Sequence, residues 1–224
     1  MRITLQGIVP IRHIPAVNRR RFIVLVVAGV IAALTLPFRA AAQDEFAVDA
    51  TRLAKALDLA AGQTVADIGA GAGQLTVALA RLVGPTGRLY ATELESDRVR
   101  AIRRAADSAG LKNVTVLDAH ATRTNLQDRC CDALVMRLVY HHIKNPVLMN
   151  QSLYNSLKPG GRLAIIDFPP DGEESADPSR RADGGHHGVT SRTVMRELRQ
   201  AGFELVTVDE GSGSRRYMVV MRRP

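Results

Sequence analysis

Residues 64–83 read TVADIGAGAGQLTVALARLV, a short apolar strand that runs through three glycines into a helix. This junction constrains the fold more than any other feature. A strand that turns at once into a helix cannot hairpin back on itself, so its sheet partner must be reached by a crossover and lie parallel to it. The same alternation recurs along the chain. Strands are predicted at Thr64–Ile68, Arg88–Thr92, Val114–Leu117, Ala133–Met136, Leu163–Ile166, Glu204–Val208 and Tyr217–Met221. Helices are predicted at Ala50–Ala60, Gln74–Val83, Ser96–Ala109, Pro146–Leu157 and Ser191–Gln200. The expectation is an α/β domain with a mainly parallel, seven-stranded sheet covered by helices on both faces. Only the turn-rich DEGSGSRR separates the last two strands, so they should close as an antiparallel hairpin. Pro169–Gly188 is rich in Pro, Gly, Asp and Glu and reads as a long loop.

The first 42 residues have a different character. They carry six arginines and no acid, whereas the whole chain has 30 Lys and Arg against 22 Asp and Glu. The remainder is therefore near +2, and the basicity belongs to this segment. Phe22–Leu36 is uncharged, follows Arg19, Arg20 and Arg21, and precedes Ala40-Ala41-Ala42. At 15 residues it is short for a spanning helix, which needs about 20, and within the about 7–15 of a signal-peptide core. NRRRFIV resembles a twin-arginine export signal. The expected division is residues 1–42 as a signal peptide and residues 43–224 as the folded domain. Export to the periplasm with cleavage is expected, and retention as a membrane anchor is the alternative. The chain has no Trp, five Phe and four Tyr, a poor supply of stacking groups, so a nucleic-acid partner is not expected. Cys130 and Cys131, being adjacent, read as two small apolar residues at a loop–strand junction rather than as a disulfide framework or zinc ligands.

Gly69, Gly71 and Gly73 allow a sharp turn and a close approach of backbone to ligand, and the helix that follows directs unpaired N–H groups at the same place. A dinucleotide site would want Gly or Ala where Gln74 stands. The spacing G-x-G-x-G behind Asp67 instead resembles the first motif of class I S-adenosylmethionine-dependent methyltransferases. RLYATELES, NVTVLDAHA, CDALVMRLVYHHIKNP, LKPGGRLAIIDF and the final YMVVMRRP resemble later segments of that family in the right order. The resemblance is greatest to small-molecule enzymes of the quinone-biosynthesis type. It implies a Rossmann-like, doubly wound sheet and S-adenosyl-L-methionine as cofactor. It also implies roles: Asp67 and the three glycines in the cofactor loop, Glu93 on the ribose hydroxyls, Asp118 on the adenine amino group, and the Ala119 N–H on the ring. Two positions depart from the pattern. Leu117 stands where many relatives have Gly, and Leu138 where many have Asn or Asp.

The methyl acceptor implied is a small molecule. A base is needed only when the acceptor must lose a proton. Tyr140, His141 and His142 are the catalytic candidates, because they follow the fourth strand, where open α/β sheets bind substrate. Arg137 is a candidate for the methionine end of the cofactor or for an acidic substrate. His120, His186 and His187 have no standard ligand spacing with the other two histidines, and no metal site is expected. A binding module that keeps the fold and catalyses nothing is the alternative reading.

Overall fold

The computed structural model describes residues 45–211 and 215–224; the segment read as a leader lies outside them. Helix α1 (45–57) precedes β1 (Thr64–Ile68), α2 (Gln74–Val83), β2 (Arg88–Glu93), α3 (Ser96–Ser108), β3 (Val114–Asp118) and β4 (Cys131–Arg137). The chain continues as α4 (Pro146–Ser156), β5 (Leu157–Asp167), α5 (Ser191–Gln200), β6 (Glu204–Asp209) and β7 (Tyr217–Arg222). The seven strands form one sheet in the order β3-β2-β1-β4-β5-β7-β6. Strands β1 to β5 pair in parallel, and β7 is antiparallel to both β5 and β6. The expected fold class is the observed one. No helix among the described residues is long and apolar enough to cross a membrane.

The central strands are buried on both faces, which is why they read as continuous apolar runs rather than as alternating ones. Ala66, Ile68, Leu134, Met136, Leu163 and Ile165 join Leu153 and Leu198 of α4 and α5 in one core. Val65, Leu89, Ala133, Val135, Ala164 and Ile166 join Leu53 and Leu79 of α1 and α2 in the other. The period-two alternation of neighbours such as Val65 and Ala66 assigns each to one layer.

The structure departs from the sequence expectations at several boundaries. Helix α1 spans 45–57 rather than Ala50–Ala60, and Asp58, in the left-handed region at φ 57°, ends it. Strand β5 includes the Lys158-Pro159-Gly160-Gly161 turn. The Gly160 N–H donates to the Arg223 carbonyl at 2.8 Å, and the Arg223 N–H returns a bond to Gly161 at 2.9 Å. Cys130 and Cys131 sit at the expected junction but are joined by a disulfide, with Cys131 buried in the core.

The loop after β5 is held by buried charge. Arg181, only 1 % exposed, donates through both terminal nitrogens to the two oxygens of Glu197 on α5. Glu174 accepts from Thr190 and Thr193 at the start of α5. Breaking a buried pair by removing one charge costs about 3–5 kcal/mol, because the other charge stays in the protein. Glu197→Gln should therefore lower the unfolding free energy by about 3 kcal/mol, read from the urea midpoint.

Candidate active site

The carboxyl ends of β2, β1, β4 and β5 lie side by side, and the strand order reverses between β1 and β4. That reversal opens the crevice in which α/β sheets bind ligands. Glu93 and Asp167 close strands three places apart, about 14 Å at the usual spacing.

The glycine loop emerges from β1 at the reversal. The N–H groups of Gly69 and Ala70 both donate to the Thr92 carbonyl, at 2.9 and 3.0 Å, and fold the loop over the end of β2. The three glycines do different work. A Cβ on Gly69 would lie 2.6 Å from a methyl of Val139, so Gly69 is a packing contact with the chain leaving β4. Gly73 packs against the backbone of Ile102 on α3. Only at Gly71, with φ 58°, would a Cβ meet nothing within 4 Å. The space in front of Gly71 is the cradle. The Gly71 N–H donates to Glu93 Oε2 at 2.9 Å, and the Leu94 N–H to Oε1 at 2.8 Å. Each carboxylate oxygen has capacity for a further donor, and the residue is 7 % exposed. An acceptor pair at the rim of an open cradle suits the two hydroxyls of a ribose. The adjoining α2 start at Gly73 has no side-chain cap, so its first N–H groups also face this region. These residues fit the adenosyl part of S-adenosylmethionine.

The other expected cofactor residues have the following surroundings. Asp67 is buried beneath the loop and accepts from the Thr76 hydroxyl at 2.7 Å. Burial pushes its carboxyl up to about 6, against the pull of Thr76 and Arg137. Asp118 is exposed at the end of β3, beside Glu93 in register. The Ala119 N–H donates to the Glu93 carbonyl at 2.8 Å and is engaged in the sheet edge rather than turned to a ligand. Arg137 is turned into α1. Its Nε donates to Asp49 at 2.6 Å, its Nη2 to Glu45 at 2.7 Å, and its guanidinium carbon lies 4.5 Å from the centre of the Phe46 ring. It fastens α1 to the crevice.

Of the catalytic candidates, Tyr140 is fully buried. Its hydroxyl donates to Glu197 at 3.0 Å and accepts from Asn150 at 2.8 Å, and burial with Glu197 holds its phenol well above the usual range. It belongs to the core and to the Arg181 pair. His141 is also buried, with Nδ1 2.8 Å from Asp167 Oδ1 and Nε2 3.1 Å from His187 Nε2. A carboxylate beside Nδ1 places the proton there and leaves Nε2 as the lone-pair nitrogen. His142 is exposed, with its ring 4.0 Å from that of His141. Desolvation and the neighbouring His141 and His187 hold it below the usual imidazole value. His120 and His186 lie elsewhere, against Arg123 and the Glu173 carbonyl. Sequence reasoning missed Asp167 and the convergence of His187; the only available signal was an acid ending the fifth strand in LAIIDF.

Leu138 has φ 57°, and its N–H donates to Ile166 at 2.8 Å. The left-handed region tolerates Asn and Asp and penalises Leu. This is the physical reason that Asn or Asp suits the position.

The chain matches the family described as Methyltransferase domain over residues 59–202. It is 32% identical over 108 residues to the ubiquinone/menaquinone biosynthesis C-methyltransferase of Klebsiella pneumoniae, a match that spans 48% of this chain and 43% of that protein. The chain thus spans less than half the length of the curated relatives it matches. A SAM dependent methyltransferase from Aquifex aeolicus is similar at 28% identity and TM-score 0.66, covering 78% of this chain and 89% of that one. The fold is shared with geranyl diphosphate C-methyltransferase from Streptomyces coelicolor, solved with S-adenosyl-L-homocysteine, at 14% identity and TM-score 0.67, over 79% of this chain and 80% of that one.

Two outcomes follow from the geometry. Leu138→Asn should raise stability by about 1 kcal/mol by relieving the left-handed leucine, measured by thermal or urea unfolding. Asp67 titrates near 6 when folded against 3.8 when exposed, so the folded state holds its proton longer. Stability from this group is present below about pH 4 and is lost as pH rises through about 6, on the order of 2 kcal/mol. Asp67→Asn should remove that part of the fall, read as a smaller difference between unfolding free energies at about pH 4 and about pH 7.

Proposed function

The chain belongs to the methyltransferase-domain family, and from that premise we propose that it transfers the methyl group of S-adenosylmethionine to a small-molecule acceptor. The carrying observation is Glu93, whose carboxylate lies against the Gly71 N–H at the rim of the open cradle. Glu93 would hold the ribose, Asp118 at the neighbouring strand end would face the adenine, and the uncapped start of α2 would face the charged end of the cofactor. The cofactor supplies an already activated methyl group on sulfur. The chain's task is then to align the acceptor and exclude water, and alignment alone accounts for much of the rate. The segment 138–142 and the loop 169–188 flank the crevice on the acceptor side. A hydroxyl or amine acceptor must lose a proton, and the imidazoles of His141, His142 and His187 cluster on that side.

The proposal includes export. Its support is the uncharged Phe22–Leu36 between an arginine cluster and Ala40-Ala41-Ala42. A twin-arginine route carries folded proteins, so the domain would cross with cofactor bound.

Calorimetry with S-adenosylmethionine and with NAD tests the cofactor assignment. Saturable binding of the first alone is expected, and no measurable affinity for it would sink the reading. Loss of the charged acceptor in Glu93→Ala should weaken binding by about 1.5–3 kcal/mol. Labelled methyl should pass to quinols, phenols or amines, whereas a binder without activity would retain it. Fractionation of cells tests export: replacement of Arg19 and Arg20 by Lys should keep the protein in the cytoplasm.

A further inference from the structure

We propose that His141, His142 and His187 form a site for one divalent transition-metal ion of the zinc class. The two histidines after β4 and the third from the loop before α5 come from separate segments. Their ligand nitrogens nevertheless lie within 4.8 Å of one another.

The site has features beyond proximity. The Asp167 carboxylate accepts from His141 Nδ1 at 2.8 Å and from the His141 backbone N–H at 3.2 Å. This fixes the ring and presents Nε2 as the ligand atom, the carboxylate–histidine arrangement that metal sites use to orient a ligand. The facing Nε2 atoms of His141 and His187 are 3.1 Å apart. Metal–nitrogen bonds of about 2.0–2.1 Å in a tetrahedral site place neighbouring ligand atoms about 3.3 Å apart. That pair already has nearly the required separation. His142 is exposed, and among the described residues its ring makes ring contacts and no hydrogen bond. With all three ligand atoms within 4.8 Å of one another, rotation of this exposed ring is the movement that closes the set. Phe168 packs 4.9 Å from His141 and 5.2 Å from His187, ring to ring, and shields the cluster on one side.

The placement of His187 is built into the backbone. Gly188 has φ 133°, and a Cβ there would lie 2.6 Å from the Pro170 nitrogen and 2.8 Å from the Pro169 carbonyl carbon. Its N–H donates to Arg181 at 2.9 Å, and the next N–H donates to Phe168 at 2.9 Å. Only glycine lets the chain pass so close, and the passage sets His187 over the end of β5. Imidazole nitrogens suit zinc, copper, nickel and iron better than magnesium or calcium. Three protein ligands leave a fourth position open, as in sites that bind water or a substrate oxygen. The role of that position toward the methyl acceptor rests on the methyl-transfer reading; the binding of the ion does not.

The test is titration of the purified full chain, stripped with a chelator, with Co²⁺ and then Zn²⁺ in the absence of S-adenosylmethionine. One equivalent of Co²⁺ should bind with intense visible absorption of the tetrahedral kind, and one equivalent of Zn²⁺ should displace it. His187→Asn, on an exposed ring, and His142→Ala should each abolish the absorption while the circular dichroism stays that of the parent. Asp167→Asn should weaken binding about 10–100-fold. Absence of a saturable one-to-one signal at micromolar Co²⁺, or a signal unchanged in His187→Asn, would overturn the proposal. Calorimetry with S-adenosylmethionine on the same stripped protein keeps the two readings apart. Cofactor binding without metal binding sinks only the metal site, and the reverse result sinks only the methyl-transfer reading.

Discussion

The contact between Gly69 and Val139 holds the functional end of the molecule together. Strands β1 and β4 are neighbours in parallel register, so the chain leaves both at the same edge of the sheet. The glycine loop and the segment 138–142 can then share that edge only if one gives way to the other. The missing side chain at Gly69 makes the room, and Val139 fills it. The consequence is a rigid seam between the cradle at Gly71 and the histidines after β4. Leu138, one residue earlier, takes the left-handed backbone at φ 57°.

Around this seam the protein uses buried charge to fasten segments that the sheet does not hold. Arg137, at the end of β4, gathers Asp49 and Glu45 and so draws α1 against the crevice. Arg181 and Glu197 fix the loop after β5 to α5, and the Tyr140 hydroxyl joins the same carboxylate from the other side. Buried ion pairs add little net stability over apolar packing. Their value here is positional. They bring an irregular loop, and with it His187, to a defined place above β5.

The alternation of strands and helices was legible because each element carries its own period, and the glycine loop because its spacing is local. Five segments in order were enough for the superfamily, and the distance after Gly73 was enough to put Glu93 at the end of β2. The boundaries of α1 and β5 were not, since α1 is extended by Arg137 and β5 by the C-terminal Arg223. Sequence placed Arg137, Tyr140 and Ala119 at strand ends but not the groups they meet there. Their actual partners are Asp49, Glu197 and the Glu93 carbonyl, groups distant in sequence for the first two and a cross-strand backbone atom for the third.

The sequence by itself determined the architecture, the glycine loop and the strand ends beside it, because hydrophobic periodicity and glycine spacing act over a few residues. Tertiary structure alone decided which side chains meet. His187 lies 46 positions from His141, yet their ring nitrogens are 3.1 Å apart. No local pattern encodes that meeting. It depends on the parallel pairing of β4 with β5, on the Arg181–Glu197 pair that holds the loop, and on the bare backbone of Gly188 that lets the loop return across the sheet edge.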